Sequence, residues 1–233
     1  MRPRGEGTRT LRGKRVAVDI AACVVGGLAG LAVAPLADRL ATNAPVGAPL
    51  LRSAPFSRRL PLVVAATAVL AGLCGLVFGF TLEAAIGAIF CWILVVVSRT
   101  DFEHRLIPDR MVLPGTVVVL ALRTLDEPSF AWPLAALGAG TALFLLVLAY
   151  PSGMGMGDVK LALFMGAGLG LGVVPALFLG FIAGAVPAIA LLVRYGSAAR
   201  KRAIPLGPFL ALGAVIAFFA GDAILDWYWD IGG

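Results

Sequence analysis

Long apolar runs, broken by short connections that carry charge, proline and glycine, set the pattern of this chain from Val16 to Ile224. A helix that crosses the hydrocarbon core of a bilayer needs about 20 mostly apolar residues. Eight runs meet or approach that length: about Val16–Ala37, Leu60–Phe80, Glu83–Val97, Met111–Leu125, Phe130–Tyr150, Val159–Val173, Pro175–Val193 and Ile204–Ile224. The third, fourth and sixth fall short, so they are expected to extend through their polar flanks, to tilt, or to form half-helices. The pattern predicts an all-α, polytopic helical membrane protein with about eight transmembrane helices, within a range of six to eight. Few residues remain for soluble mass, so 1–233 reads as a single integral membrane domain with a basic tail at 1–15.

Composition changes this picture little. At 60% hydrophobic residues and a mean hydropathy of +0.97, the chain is too apolar for a soluble domain. The first apolar run follows Arg2, Arg4, Arg9, Arg12, Lys14 and Arg15 and so has the look of a signal peptide. Its length, roughly 22 residues, and the lack of a small-residue cleavage site favour a retained helix instead. Cys23, Cys74 and Cys91 all lie inside apolar runs with no CxxC pair, which points to no disulfide framework and no zinc site. No repeat of 20–50 residues is evident.

Loop charge orients the helices. The connections around Arg39–Arg59, Arg99–Arg110, Pro151–Lys160 and Arg194–Arg202 hold twelve of the 19 basic residues. The intervening connections hold one, and the C-terminal tail carries Asp222, Asp226 and Asp230. The positive-inside rule assigns the basic connections to the cytoplasmic face, in a multi-pass protein of the cell's inner membrane. Six basic residues at the N-terminus conflict with this, but the internal alternation rests on several loops rather than one end. The net charge of +6 suits anionic lipid headgroups, and no nucleic-acid motif accompanies it.

Two acids stand out against this background. Gly153-Met154-Gly155-Met156-Gly157-Asp158-Val159-Lys160 sets a carboxylate and an ammonium at the start of an apolar run, with no further charge before Arg194. Ionisable groups at membrane depth are costly and mark functional sites, while the glycines permit a sharp turn or close backbone approach. The plain alternative is an Asp that caps a membrane helix. Asp101 lies in Ser98–Asp109, just past the apolar run that ends at Val97, where the plain alternative is a solvated surface loop. The loop alternation brings it to the same face as Asp158, 57 positions later.

Gly155-Met156-Gly157-Asp158 matches the GxGD motif of polytopic aspartic proteases, and with Val159-Lys160-Leu161-Ala162 it resembles the prepilin peptidase family. Asp101 followed by Ile107-Pro108-Asp109 resembles the first catalytic Asp of that family and its Leu/Ile-Pro-Asp/Asn step. Ile204-Pro205-Leu206-Gly207-Pro208-Phe209-Leu210-Ala211-Leu212-Gly213, after the basic loop Arg200-Lys201-Arg202, resembles the family's P-x-GPFL-x-x-G segment. The resemblance covers roughly Asp101–Gly213, about half the chain, and residues 84–213 carry the motifs; Gly30–Leu40 is only loosely similar to the family's first helix.

The resemblance implies a membrane aspartic endopeptidase with Asp101 and Asp158 as its catalytic pair. Gly155, Gly157, Lys160, Pro108 and Asp109 would support them, with no metal. The substrate implied is a prepilin-like precursor, a type IV pilin or secretion pseudopilin, cut after a Gly at the cytoplasmic boundary between a basic leader and an apolar helix. Membrane lipid is the other expected partner; nucleic acid is not. Proteolysis would need no cofactor. The tetracysteine zinc-binding loop of many bifunctional members is missing, so S-adenosylmethionine enters only if an N-methyltransferase activity accompanies the peptidase.

Two close carboxylates resist ionising together, so one keeps a proton while the other activates water. Asp101 follows the end of one predicted helix and Asp158 precedes the start of another, an asymmetry that places the charge on Asp158 and the proton on Asp101. Two other readings compete: a transporter or scaffold with Asp101, Asp158 and Lys160 as an ion relay, and a GxGD intramembrane protease with non-pilin substrates. His104, the single histidine, reads as a surface residue, Met154 and Met156 as pliable packing, and Trp227, Tyr228 and Trp229 as interface anchors.

Overall fold

The computed structural model describes residues 6–43, 60–151, 154–196 and 205–232. Among them run α1 (Glu6–Asn43), α2 (Leu60–Phe78), α3 (Leu82–His104), α4 (Asp109–Asp126), α5 (Ala131–Ala149), α6 (Met156–Leu169), α7 (Val173–Tyr195) and α8 (Gly207–Gly232). A 3₁₀ turn at Gly170–Gly172 separates α6 from α7, and no strand occurs among the described residues. Five stretches are long and apolar enough to cross a membrane: Val18–Leu36, Pro61–Phe78, Leu82–His104, Ala131–Ala149 and Met156–Tyr195, the last spanning α6 and α7. A shorter apolar stretch, Gly207–Gly221, opens α8. The protein is a polytopic helical membrane protein, as its apolar runs predict.

Helix bounds depart from the apolar runs where polar residues remain helical. The basic segment from Glu6 to Arg15 is the first part of α1 rather than a separate tail. The third run does not stop near Val97; α3 continues to His104. Ser98 and Thr100 donate to the carbonyls of Leu94 and Val96 at 2.7 and 2.8 Å, and Arg99 pairs with Glu103 at 2.9 Å across the last turn. The Ser98 and Thr100 hydroxyls are therefore satisfied within the helix, Arg99 is paired there through its Nη1, and no proline interrupts the helix before Pro108. The side chains of Trp227, Tyr228 and Trp229, and the basic loop Arg200-Lys201-Arg202, lie outside the described residues.

The core forms where α3, α6 and α8 meet. Phe90 of α3 stacks on Phe164 of α6 with ring centroids 4.9 Å apart, and on Phe218 of α8 at 5.8 Å. Lipid tails are as apolar as leucine, so tight packing and closure of polar groups, rather than escape from water, hold such helices together. Arg123 supplies closure at one end. Its Nε donates to the Gly168 carbonyl at 3.1 Å, its Nη1 lies 3.4 Å from Glu83 Oε1, and its guanidinium sits 4.8 Å from the Trp132 ring centre. One buried side chain thus ties together α4, α6, α3 and α5. Glu83 stands eighteen residues before Asp101 on α3, about 27 Å at 1.5 Å per residue. The other end of the bundle is where both candidate acids lie.

Candidate active site

Asp101 occupies the last turn of α3 and is buried, with 6% of its surface exposed. This corrects the surface-loop alternative: the helix carries the carboxylate inward, and the chain turns only afterwards. Arg105 ends α3 in a left-handed conformation (φ 54°, ψ 38°), with its N–H donating to the Asp101 carbonyl. That conformation costs a non-glycine residue about 1–2 kcal/mol. It redirects the chain so that Leu106, Ile107 and Pro108 lead back across the bundle into α4. From the far side α8 arrives, and the Gly207 N–H donates to Asp101 Oδ2 at 2.9 Å.

Asp158 lies in the first turn of α6 and is likewise buried. Gly155 is the N-cap, and its N–H donates back to Asp158 Oδ2 at 3.2 Å, one half of a capping box. Asp158 therefore closes the start of its helix without being the N-cap itself. Asp101 and Asp158 lie at the same end of the bundle, in the last turn of α3 and the first turn of α6. Each accepts a backbone N–H from the opening of a helix, α8 for Asp101 and α6 for Asp158. Asp101 therefore sits at the end of α3 and also against the start of α8, a neighbour that the helix-end comparison does not include.

The supporting residues come from the connection before α4, the start of α4 and α6. Ile107 packs directly over Gly157: a Cβ on that glycine would stand 3.0 Å from the Ile107 Cβ, tighter than ordinary contact. Glycine at 157 is thus a matter of close approach between the two motif loops. Pro108 is the N-cap of α4, and its carbonyl accepts from the Met111 and Val112 amides. Asp109, the first residue of α4, meets Lys160 of α6, with Nζ 2.6 Å from Oδ2. His104 ends α3 exposed, Met156 is exposed, and Met154 packs against the core.

Gly207 and Ile107 stand in the sequence only as parts of the Ile204–Gly213 and Ile107-Pro108-Asp109 segments, with no site role of their own. Gly207 sits within the Pro205–Gly213 segment that carries part of the resemblance, but nothing local says that its amide faces Asp101, 106 positions earlier. Arg99 was also passed over; it is buried beside Asp101 on α3 and paired with Glu103.

Comparison with known proteins agrees with this cluster of motifs. Residues 88–189 match the model of the type IV leader peptidase family. The prepilin leader peptidase/N-methyltransferase of Legionella pneumophila is 34% identical over 183 residues, 75% of this chain and 63% of that protein. The protein of the same name in Pseudomonas aeruginosa is 34% identical over 188 residues, 77% of this chain and 64% of that one. The one in Bacillus subtilis is 33% identical over 172 residues, 72% and 68% of the respective chains. The likeness extends well beyond Asp101–Gly213, while the chain spans just under two thirds of the length of the first two relatives. No solved structure matches. On these grounds the chain belongs to the type IV leader peptidase family.

Proposed function

We propose that this protein is an aspartic endopeptidase of the cell's inner membrane, which removes the leader from prepilin-like precursors at the cytoplasmic face. The observation that carries the reading is the pair of buried carboxylates from α3 and α6 at one end of the bundle, each anchored through Oδ2 to a backbone N–H. Anchoring Oδ2 leaves Oδ1 of each acid for water and substrate. The ionised member takes a proton from water as its oxygen attacks the scissile carbonyl carbon, and the protonated member donates to the carbonyl oxygen. Collapse of the resulting gem-diol breaks the C–N bond, with a proton passing to the leaving amine. The dyad then returns to its singly protonated state, and no covalent intermediate forms.

The cytoplasmic orientation is supported by loop charge, since both acids lie at the bundle end served by the basic connections. A substrate whose basic leader stays inside for the same reason would present its cleavage site at this depth. The ion-relay alternative is less well supported. It needs Lys160 in line with the two acids, whereas its ammonium is bonded to Asp109. The names of the relatives favour leader cleavage over other intramembrane substrates.

The relatives' second activity implies a methyl donor of the S-adenosylmethionine kind, whose adenine, ribose and amino-acid groups all require polar partners. The groove that opens beside Asp101 does not fit such a group. Among the described residues its polar wall residues are Ser98, whose hydroxyl donates to the Leu94 carbonyl, and Arg99, whose Nη1 donates to Glu103, too few for those groups. No methyl-transfer step is derived from it. Co-expression with a precursor bearing a basic leader, scored by leader removal, tests the peptidase reading. An unprocessed precursor beside folded wild-type enzyme overturns it.

A further inference from the structure

We propose that the groove between α2, α3 and α8 seats the first two turns of the substrate's apolar helix, immediately after the scissile bond; this rests on the peptidase reading above. The groove has a volume of about 720 Å³. Leu62 and Ala66 of α2, Val95 and Phe102 of α3, and Ala211 and Leu212 of α8 are among its walls.

Three observations favour this occupant. The groove reaches the residues that flank Asp101, Phe102 beside it on α3 and Pro208 beside Gly207 on α8. On α3 its lining runs from Leu94 to Phe102, and Asp101 follows Leu94 by seven residues and Ser98 by three, the same stripe of the helix. On α8 the lining begins at Pro208, next to the glycine whose N–H holds Asp101. Second, the walls suit an apolar guest. Leu62, Phe102 and Leu212 are exposed along it, while Ser98 and Arg99 are engaged within α3, so an apolar segment displaces no polar partner. Third, the length fits. From Leu94 to Phe102, α3 rises roughly 12 Å, about two helical turns.

A substrate cut where a polar leader meets an apolar helix must hold its scissile bond at the dyad while its helix descends beside the enzyme. Phe90 and Val97 close the inner face of α3 against the core. The groove is an apolar path that begins next to Asp101, at Phe102 and Pro208, and runs along α2, α3 and α8. A lipid acyl chain, the rival occupant, has the same apolar chemistry but no reason to register with the dyad.

The test uses the full chain in native membranes with a photo-crosslinking residue at Ala66 or at Leu145, an exposed position on α5. An Asp158→Asn background keeps a prepilin-type precursor intact, and leader removal by the wild type is scored in parallel. Crosslinks from Ala66 to the first two turns after the cleavage site, at least tenfold above those from Leu145, are expected. Ala66→Trp in the otherwise wild-type enzyme should raise KM about tenfold or more with little change in kcat, while Leu145→Trp leaves both unchanged. Crosslinks to lipid alone, or equally from Leu145, in membranes where the wild type still cleaves, overturn the groove but not the peptidase. Absence of leader removal by the wild type overturns the peptidase reading and the groove with it.

Discussion

Gly207 donates its backbone N–H to Asp101 Oδ2 at 2.9 Å, and a Cβ on the same residue would stand 2.7 Å from that oxygen. The contact joins the last turn of α3 to the first of α8, and it works only if residue 207 has no side chain. An alanine there must displace the carboxylate or tilt α8. We expect Gly207→Ala to lower leader cleavage about tenfold or more per folded molecule, since small misplacements of a reacting group are costly. Cleavage assays normalised to detergent-extracted, folded protein check this; an unchanged rate would mean that the Asp101 anchor is dispensable.

Two further glycines separate site geometry from packing. Gly157 faces Ile107 between the motif loops, whereas a Cβ on Gly166 would stand 2.6 Å from the Ala136 Cα on α5. Gly157→Leu should therefore lower the rate per folded molecule. Gly166→Leu should lower the amount of folded protein, because the backbone of α5 has nowhere to move. Wild-type turnover by Gly157→Leu contradicts a role for that close approach in shaping the site.

Lys160 and Asp109 link α6 to α4 in a partly exposed pair, and such pairs contribute about 0.2–1 kcal/mol. Lys160→Met and Asp109→Asn should each reduce cleavage only a few-fold, and the double variant should lose no more than either alone. A double-mutant cycle on cleavage rate measures this. Complete loss in Lys160→Met with full activity in Asp109→Asn would restore the relay role of the lysine.

Arg123 lies at the opposite end of the bundle, and its loss should act on stability. Arg123→Leu leaves the Gly168 carbonyl without its buried donor, a cost of about 1–3 kcal/mol. Thermal unfolding in detergent should fall while the rate per folded molecule stays at the wild-type value. A selective loss of rate would indicate that the two ends of α3 are coupled.

What the sequence made legible follows from the range of the interactions involved. Apolar runs announce membrane helices residue by residue, and the glycines around Asp158 announce a turn, because both are local signals. The Asp101 region was harder to read, since helix and loop are equally compatible with Ser98–Arg105 until Ser98, Thr100 and Arg99 are seen to satisfy themselves inside α3. Ile107 over Gly157 and Gly207 against Asp101 are contacts between elements 50 and 106 positions apart. Nothing in either segment alone specifies them. The helix-end comparison of the two acids weighs each carboxylate against its own helix only, and nothing local in the sequence places the start of α8 beside Asp101.

The central claim is that Asp101 and Asp158 act as one proton-sharing pair, and single Asp→Asn variants at each position test it most directly. Each keeps the volume and the Oδ acceptor of the native residue but removes an acid that the water-activating step requires. Co-expressed with a prepilin-type precursor at equal levels of inserted enzyme, Asp101→Asn and Asp158→Asn should each lose at least 10²-fold in leader removal, by the usual contribution of an acid–base group. Processing at the wild-type rate by either variant would contradict the dyad.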